Sequence, residues 1–247
     1  MAISTNPLAW LRSVQPRRAI ALLLLLLPLT VGAQTVRDLW LSMPPSFAPY
    51  LNTSLRTQCL DFYDMHTDAQ TDNALKGKSR IDTLTSTFLA ATLSKAHTLQ
   101  MKLLPASGSG SGSASGSASG LGSSMVSGSG SSSSLSSCDS VLCVVRSWDG
   151  PKRDSEVQLF DRQWKPLQAP LTFSADSFVC RPDTMSEERF SRLVAMLDPI
   201  MFSVSLSPAE NVLLVKLSPI VPNPEDEKAI EQILVQRKLK WNGKTFK

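Results

Sequence analysis

Hydrophobic and polar positions alternate along two stretches on either side of a Ser/Gly run. In "TLQMKLLP", Leu99, Met101 and Leu103 fall on one face, and in "DSVLCVVRSW", Val141, Cys143 and Val145 do the same. Both predict strands. "SEVQLFDRQW" predicts another. "KGKS", Lys76 to Ser79, predicts a turn between two extended segments, with Gly77 supplying the permissive dihedral. Period-3.6 spacing marks the helices. Leu55, Cys59, Leu60 and Phe62 predict one that ends near Met65, with Thr53 or Ser54 as its cap. Phe190, Leu193, Val194 and Leu197 predict a second behind Thr184 and Glu187, and "PEDEKAIEQILVQ" a third with acids in its first turn. "FSVSLSPAENVLLVKLSP" reads as a hairpin, and Asn242-Gly243 within "LKWNGKTFK" predicts a terminal one. The fold class expected is α+β: an antiparallel sheet of meander and hairpins from about His66 to Phe160, helices packed on one face, and a C-terminal pair of hairpins around a short helix.

Before these elements, Arg12, Arg17 and Arg18 precede the apolar run "AIALLLLLLPLTVGA". This is the layout of a Sec-type secretory signal peptide over residues 1–33, with cleavage expected after Ala33. The run is shorter than the ~20 residues that span a bilayer, so no permanent membrane anchor is expected. Loss of this segment changes the charge argument. Of the formal +4, the leader arginines account for three, and residues 34–247 carry +1. No net basic excess remains, so nucleic-acid binding is not expected. The expected location is periplasmic or secreted.

The Ser/Gly/Ala run over residues 107–137 cannot bury enough apolar surface to offset its ordering entropy, and is expected to be disordered. Loop closure entropy grows only logarithmically with length, so two neighbouring strands tolerate such an insertion. The reading is therefore one α+β domain over residues 34–247 with 107–137 as a loop insertion. An interdomain linker would leave about 70 residues to fold alone, a marginal core.

Candidate chemistry is sparse. His66 and His97 are the only histidines and have no zinc-like partners, so each is expected as an exposed strand or turn residue. No G-x-S-x-G or dinucleotide fingerprint occurs, and Asp72 stands where a phosphate loop needs its first glycine. No cofactor or metal is expected. Asp61, Asp64, Asp68 and Asp72 do not have EF-hand spacing. Cys59, Cys138, Cys143 and Cys180 permit three pairings, and buried free thiols at Cys59 and Cys143 are the expectation. The absence of histidine-centred chemistry favours a non-enzymatic binding or interaction module over an enzyme. Its candidate surface is Trp40, Phe47, Tyr50, Trp148, Trp164 and Trp241, any of which could instead be ordinary core. The alternatives are a carboxylate-dependent hydrolase using Asp61 and Asp64, and a small-molecule or lipid carrier enclosing a cavity.

The blocks "VRDLWLSMPPSFAPYLN", "LRTQCLDFYDM", "LKGKSRIDTLT", "LQMKLLP", "VLCVVRSWDGPKRDSEVQLFD", "WKPL" and "WNGKTF", in that order, resemble a domain-of-unknown-function family of exported proteins from Bacteroidetes. The resemblance covers nearly all of residues 34–247 and implies a Gram-negative envelope setting, where the partner would be another envelope protein. It assigns no catalytic residue. It also implies a short step from "MKLLP" to "VLCVV", from which the Ser/Gly run departs. Excision of residues 107–137 is expected to leave Tm within about 2 °C of the parent by differential scanning calorimetry, whereas an interdomain linker predicts a split or strongly lowered transition.

Overall fold

The structure, a computed structural model, describes residues 34–106, 140–221 and 223–247. The expected signal peptide, the 107–137 insertion and Cys138 lie outside the described residues. Among the described residues no helix is long and apolar enough to cross a membrane.

Two helices open the described chain: α1 (Val36–Ser42) and α2 (Thr53–Asp64). The pattern of apolar residues did not predict α1. A capping box starts it, in which Thr35 accepts from the Asp38 N–H while the Asp38 carboxylate takes the Thr35 N–H. The cap of α2 is Asn52, ahead of the expected Thr53 or Ser54, because its Oδ1 accepts from the Leu55 N–H at 3.0 Å. A six-stranded antiparallel meander follows in sequential order: β1 (Thr71–Asp72), β2 (Lys78–Leu84), β3 (Phe88–Ser94), β4 (His97–Pro105), β5 (Ser140–Asp149) and β6 (Arg153–Phe160). The second sheet has three strands, β7 (Phe202–Leu206), β8 (Val212–Leu217) and β9 (Arg237–Lys240). Helices α3 (Glu187–Ala195) and α4 (Pro224–Glu231) complete a mixed α+β fold that is mostly strand. α3 is capped by Ser186 rather than Thr184.

The expected turn at "KGKS" is present, but the left-handed residue is Lys76, with φ of 59°, and not Gly77. The reason is Asn73. Its Oδ1 accepts from the N–H groups of Leu75 and Gly77, and its amide donates to Ser79 Oγ and to the Leu93 carbonyl. A Cβ at position 77 would lie 3.1 Å from Asn73 Nδ2, so a side chain there would crowd the Asn73 amide.

Alternation along the strands divides the core in two. Leu89, Ala91, Leu93, Leu99, Met101, Leu142, Val144 and Phe160 face α1 and α2, against Val36, Leu39, Trp40, Leu51 and Leu60. Phe88, Leu104, Val141, Cys143, Val145, Val157 and Leu159 face the other way, against Val204, Leu206, Leu213, Val215 and Leu217 of the small sheet and Leu193, Ala229 and Ile230 of α3 and α4. A strand covered on both faces needs apolar residues at every position, which is why "VLCVV" in β5 is a continuous buried run.

Two buried cations hold these layers. Arg56 is fully buried at the end of α1, donating to the carbonyls of Met43 at 2.7 Å and Leu41 at 3.2 Å, where helix C-terminal carbonyls lack partners. Lys102 of β4 points into the second core, and its Nζ donates to the carbonyls of Ser207, Pro208 and Glu210 in the β7–β8 turn, at 2.6, 3.0 and 2.7 Å. The edge of β7 is closed by side chains of the large sheet: the N–H groups of Phe202, Val204 and Leu206 donate to Asp154 Oδ1, Ser155 Oγ and Gln100 Oε1.

Replacement of Lys102 by Met keeps much of the stem but leaves three turn carbonyls without a donor. Lys102→Met is expected to cost about 3 kcal/mol, read as a fall in Tm of about 10 °C. A change below about 2 °C would mean that the turn carbonyls are satisfied equally well by water.

A candidate interaction surface

The connection between α1 and α2 contains Pro44, Pro45 and Pro49, which restrict its backbone, and it is pinned by the buried Ala48 and Leu51. Turn hydrogen bonds from Phe47 N to Pro44 O and from Leu51 N to Ala48 O set its path. Phe47 and Tyr50 therefore project over one end of the large sheet. Register brings three more residues to the same place. His97 of β4 lies opposite Trp148 of β5, and Arg146 lies opposite Glu156 of β6. Alternation puts all of them on the face that α1 and α2 cover further along.

The geometry is specific. The rings of His97 and Trp148 stack at 5.4 Å with planes 7° apart, and Tyr50 meets His97 edge-on at 6.2 Å. The Tyr50 hydroxyl and His97 Nδ1 share a hydrogen bond, and the second ring nitrogen is Nε2. That nitrogen is buried with no hydrogen-bond partner among the described residues. Arg146 lies over two rings, its Cζ 5.0 Å from Phe47 and 5.6 Å from Trp148, while Nη2 donates to Glu156 Oε2 at 2.6 Å. Burial, and then the charge of Arg146, push the His97 pKa down; burial pushes the Tyr50 hydroxyl up. At neutral pH the cluster is a neutral His–Tyr pair beside one paired guanidinium. His97 is thus half-buried and structural, where an exposed position was expected.

The six candidate aromatics separate into three groups. Phe47, Tyr50 and Trp148 meet at the surface. Trp148, 41% exposed, is the large aromatic left most open there. Trp164 lies beneath them at 6% exposure, packed on Phe47 at 5.0 Å and Phe160 at 5.5 Å, with its Nε1 donating to Leu39 O. Trp40 is completely buried and donates to Arg56 O, so these two are core and not surface. Trp241 stands apart, its ring tilted 57° to that of Phe246 across the terminal turn and its Nε1 donating to Pro105 O at 2.7 Å. Sequence reasoning missed His97 and Arg146. The strand pairing that joins His97 to Trp148 bridges the Ser/Gly run and leaves no local pattern, whereas Arg146 lies two positions before Trp148 on the same strand.

Of Asp61 and Asp64, the carboxylates offered for catalysis, Asp64 is held in an ion pair, as is Asp72 of the wider acidic set. Asp64 forms a bidentate pair with Arg37, which holds its carboxyl below the usual range, and Asp72 pairs with Lys78. A general acid needs the opposite shift. Among the described residues no group of three or more His, Cys, Asp or Glu could hold a metal ion. Cys59 and Cys143 are buried free thiols, and burial pushes both pKa values up.

Fold and surface place the chain in a class of mixed α+β proteins built on an antiparallel meander with a smaller sheet against it. The chain belongs to the family described as protein of unknown function (DUF3256), whose profile matches residues 28–111 and 133–246. The solved structure of a domain of an uncharacterized protein from Porphyromonas gingivalis W83 is similar, with a TM-score of 0.60, 20% identity, and coverage of 87% of this chain and 99% of that one. That likeness shows a shared fold. No curated protein matches the chain.

Because burial keeps folded His97 neutral, its folded pKa lies below its unfolded value of about 6.5. Above that value the folded and unfolded chains bind the same number of protons at this site. As pH falls through it, the unfolded chain takes up a proton that the folded chain resists, and stability is lost. His97→Gln is expected to flatten the fall in Tm between about pH 7.5 and pH 5. Parallel curves for the two proteins would show that His97 titrates freely in the fold.

Proposed function

We propose that this protein is an exported envelope protein, processed near Ala33, that acts as a non-enzymatic binding module and presents Phe47, Tyr50 and Trp148 to another envelope protein. The observation that carries the reading is Trp148: a large aromatic 41% exposed yet fixed by His97 and Arg146. Little side-chain entropy is lost when such a group is covered, and interface energy concentrates on rigid aromatic anchors. The loop that brings Phe47 and Tyr50 is itself pinned, so the surface is preformed.

The domain reading is part of the proposal: one α+β domain from Gln34 with a loop insertion. Supporting it, Gln34–Lys247 group as one compact unit, and the family match skips residues 112–132 between the paired strands β4 and β5. The arginine-led apolar run before Gln34 supports export.

N-terminal sequencing of the protein from the envelope fraction is expected to begin at Gln34. Native mass spectrometry of the same preparation should show one reproducible additional protein mass. Trp148→Ala is expected to weaken that complex by about thirtyfold, while Leu75→Ala, at an exposed residue of the β1–β2 turn, leaves it unchanged. A bare monomer, or a complex indifferent to Trp148, overturns the reading; a small bound mass in place of a protein moves the assignment to a carrier.

A further inference from the structure

A second surface lies on the small sheet, away from the aromatic cluster. Leu213, Val215 and Leu217 of β8 fill the core. Alternation puts Val212, Leu214 and Lys216 on the opposite face, where Lys216 is exposed, and register places Lys238 opposite the half-buried Leu214 and Lys240 opposite the buried Val212. Lys216, Lys238 and Lys240 share this outer face and are all exposed. The terminal turn continues it. Backbone hydrogen bonds between Lys240 and Lys247 fold the last residues back along β9, adding the exposed Lys244 and Lys247. Trp241, packed on Phe246 and bonded to Pro105 O, fixes this turn to the body of the protein.

The charge is concentrated. Residues 232–247 hold five basic residues and no acid, while residues 34–231 carry a net −4. Only Lys238 is ion-paired, to Glu210 at 2.6 Å; Lys216, Lys240, Lys244 and Lys247 have no carboxylate within ion-pair distance among the described residues. With a net charge of +1 over residues 34–247, the excess of positive charge is carried by the C-terminal segment. Four of the five C-terminal cations are lysines, compact point charges with no fork to match one bound group. Spread over a sheet face, they suit a planar array of negative charge better than a single enclosed anion.

We propose that the outer face of the β7–β9 sheet and its terminal turn form an electrostatic docking surface for a bilayer bearing anionic phosphate headgroups, held by Lys216, Lys238, Lys240, Lys244 and Lys247. Binding is peripheral and reversible, and it leaves Trp148 free at a different place on the protein.

Co-sedimentation of the purified protein with vesicles tests this. One set is phosphatidylcholine alone, and the other contains about one third phosphatidylglycerol. The expected result is binding to the anionic vesicles only, lost as salt rises from about 0.05 M to about 0.5 M. The triple variant Lys216→Gln, Lys240→Gln, Lys244→Gln removes three unpaired charges and is expected to weaken partitioning by about a hundredfold with Tm unchanged. An N-terminal apolar segment, if retained, is common to parent and variant and gives no difference between them. Equal binding to both vesicle types, no binding to either, or a variant that binds like the parent overturns the proposal. So does displacement by inorganic phosphate at matched ionic strength, which would indicate a site for free phosphate.

Discussion

Lys102 is the contact on which the arrangement of the two sheets depends. An ammonium group taken out of water is costly unless its hydrogen bonds are replaced, and only three acceptors of suitable geometry replace them. The β7–β8 turn supplies three carbonyls at once. The turn therefore has one position relative to β4, and the rest of the small sheet follows. Gln100, Ser155 and Asp154 then meet the free N–H groups of β7 in the manner of a missing strand. Apolar packing between the sheets provides the larger driving force but little direction. The polar contacts select the register in which that packing occurs.

On the opposite face the same division of labour recurs around Arg56, which fastens the end of α1 to α2 through backbone carbonyls rather than through an acid. With α1 and α2 fixed, the proline-rich connection between them has little freedom, and Phe47 and Tyr50 must lie beside the β4–β5 pair. The aromatic surface is thus a product of the core beneath it: Trp40 and Trp164 hold the support, and Phe47, Tyr50 and Trp148 are what remains outside.

Much of the fold was legible in the sequence because its signals are local. Alternation marked β4, β5 and β6, helical spacing marked α2, α3 and α4, and Asn242-Gly243 marked the terminal turn, where Gly243 has φ of 93°. Errors arose where a side chain, not a period, made the decision. Asn73 moved the left-handed position to Lys76, Asn52 displaced the cap of α2, and the Thr35–Asp38 box started a seven-residue helix too short for periodicity to register. For the candidate surface the aromatic residues could be named but not grouped. Their grouping depends on His97 meeting Trp148 across a strand pair whose members are far apart in sequence. The lysines near the C-terminus formed no pattern that the sequence singled out, and only the register of β8 with β9 shows that Lys216, Lys238 and Lys240 share one face.

The position of Lys102 also orders events in time. Its acceptors lie more than a hundred residues further along the chain, as do the partners of Gln100. During vectorial synthesis the meander emerges first, with a lysine at its centre that has nothing to bond and an apolar face that has nothing to cover it. Completion of that face must wait for the C-terminal hairpin. Contacts of such long range slow folding, and the uncovered intermediate is the species most exposed to aggregation. The tie that fixes the finished architecture therefore leaves the nascent chain with its longest period of vulnerability.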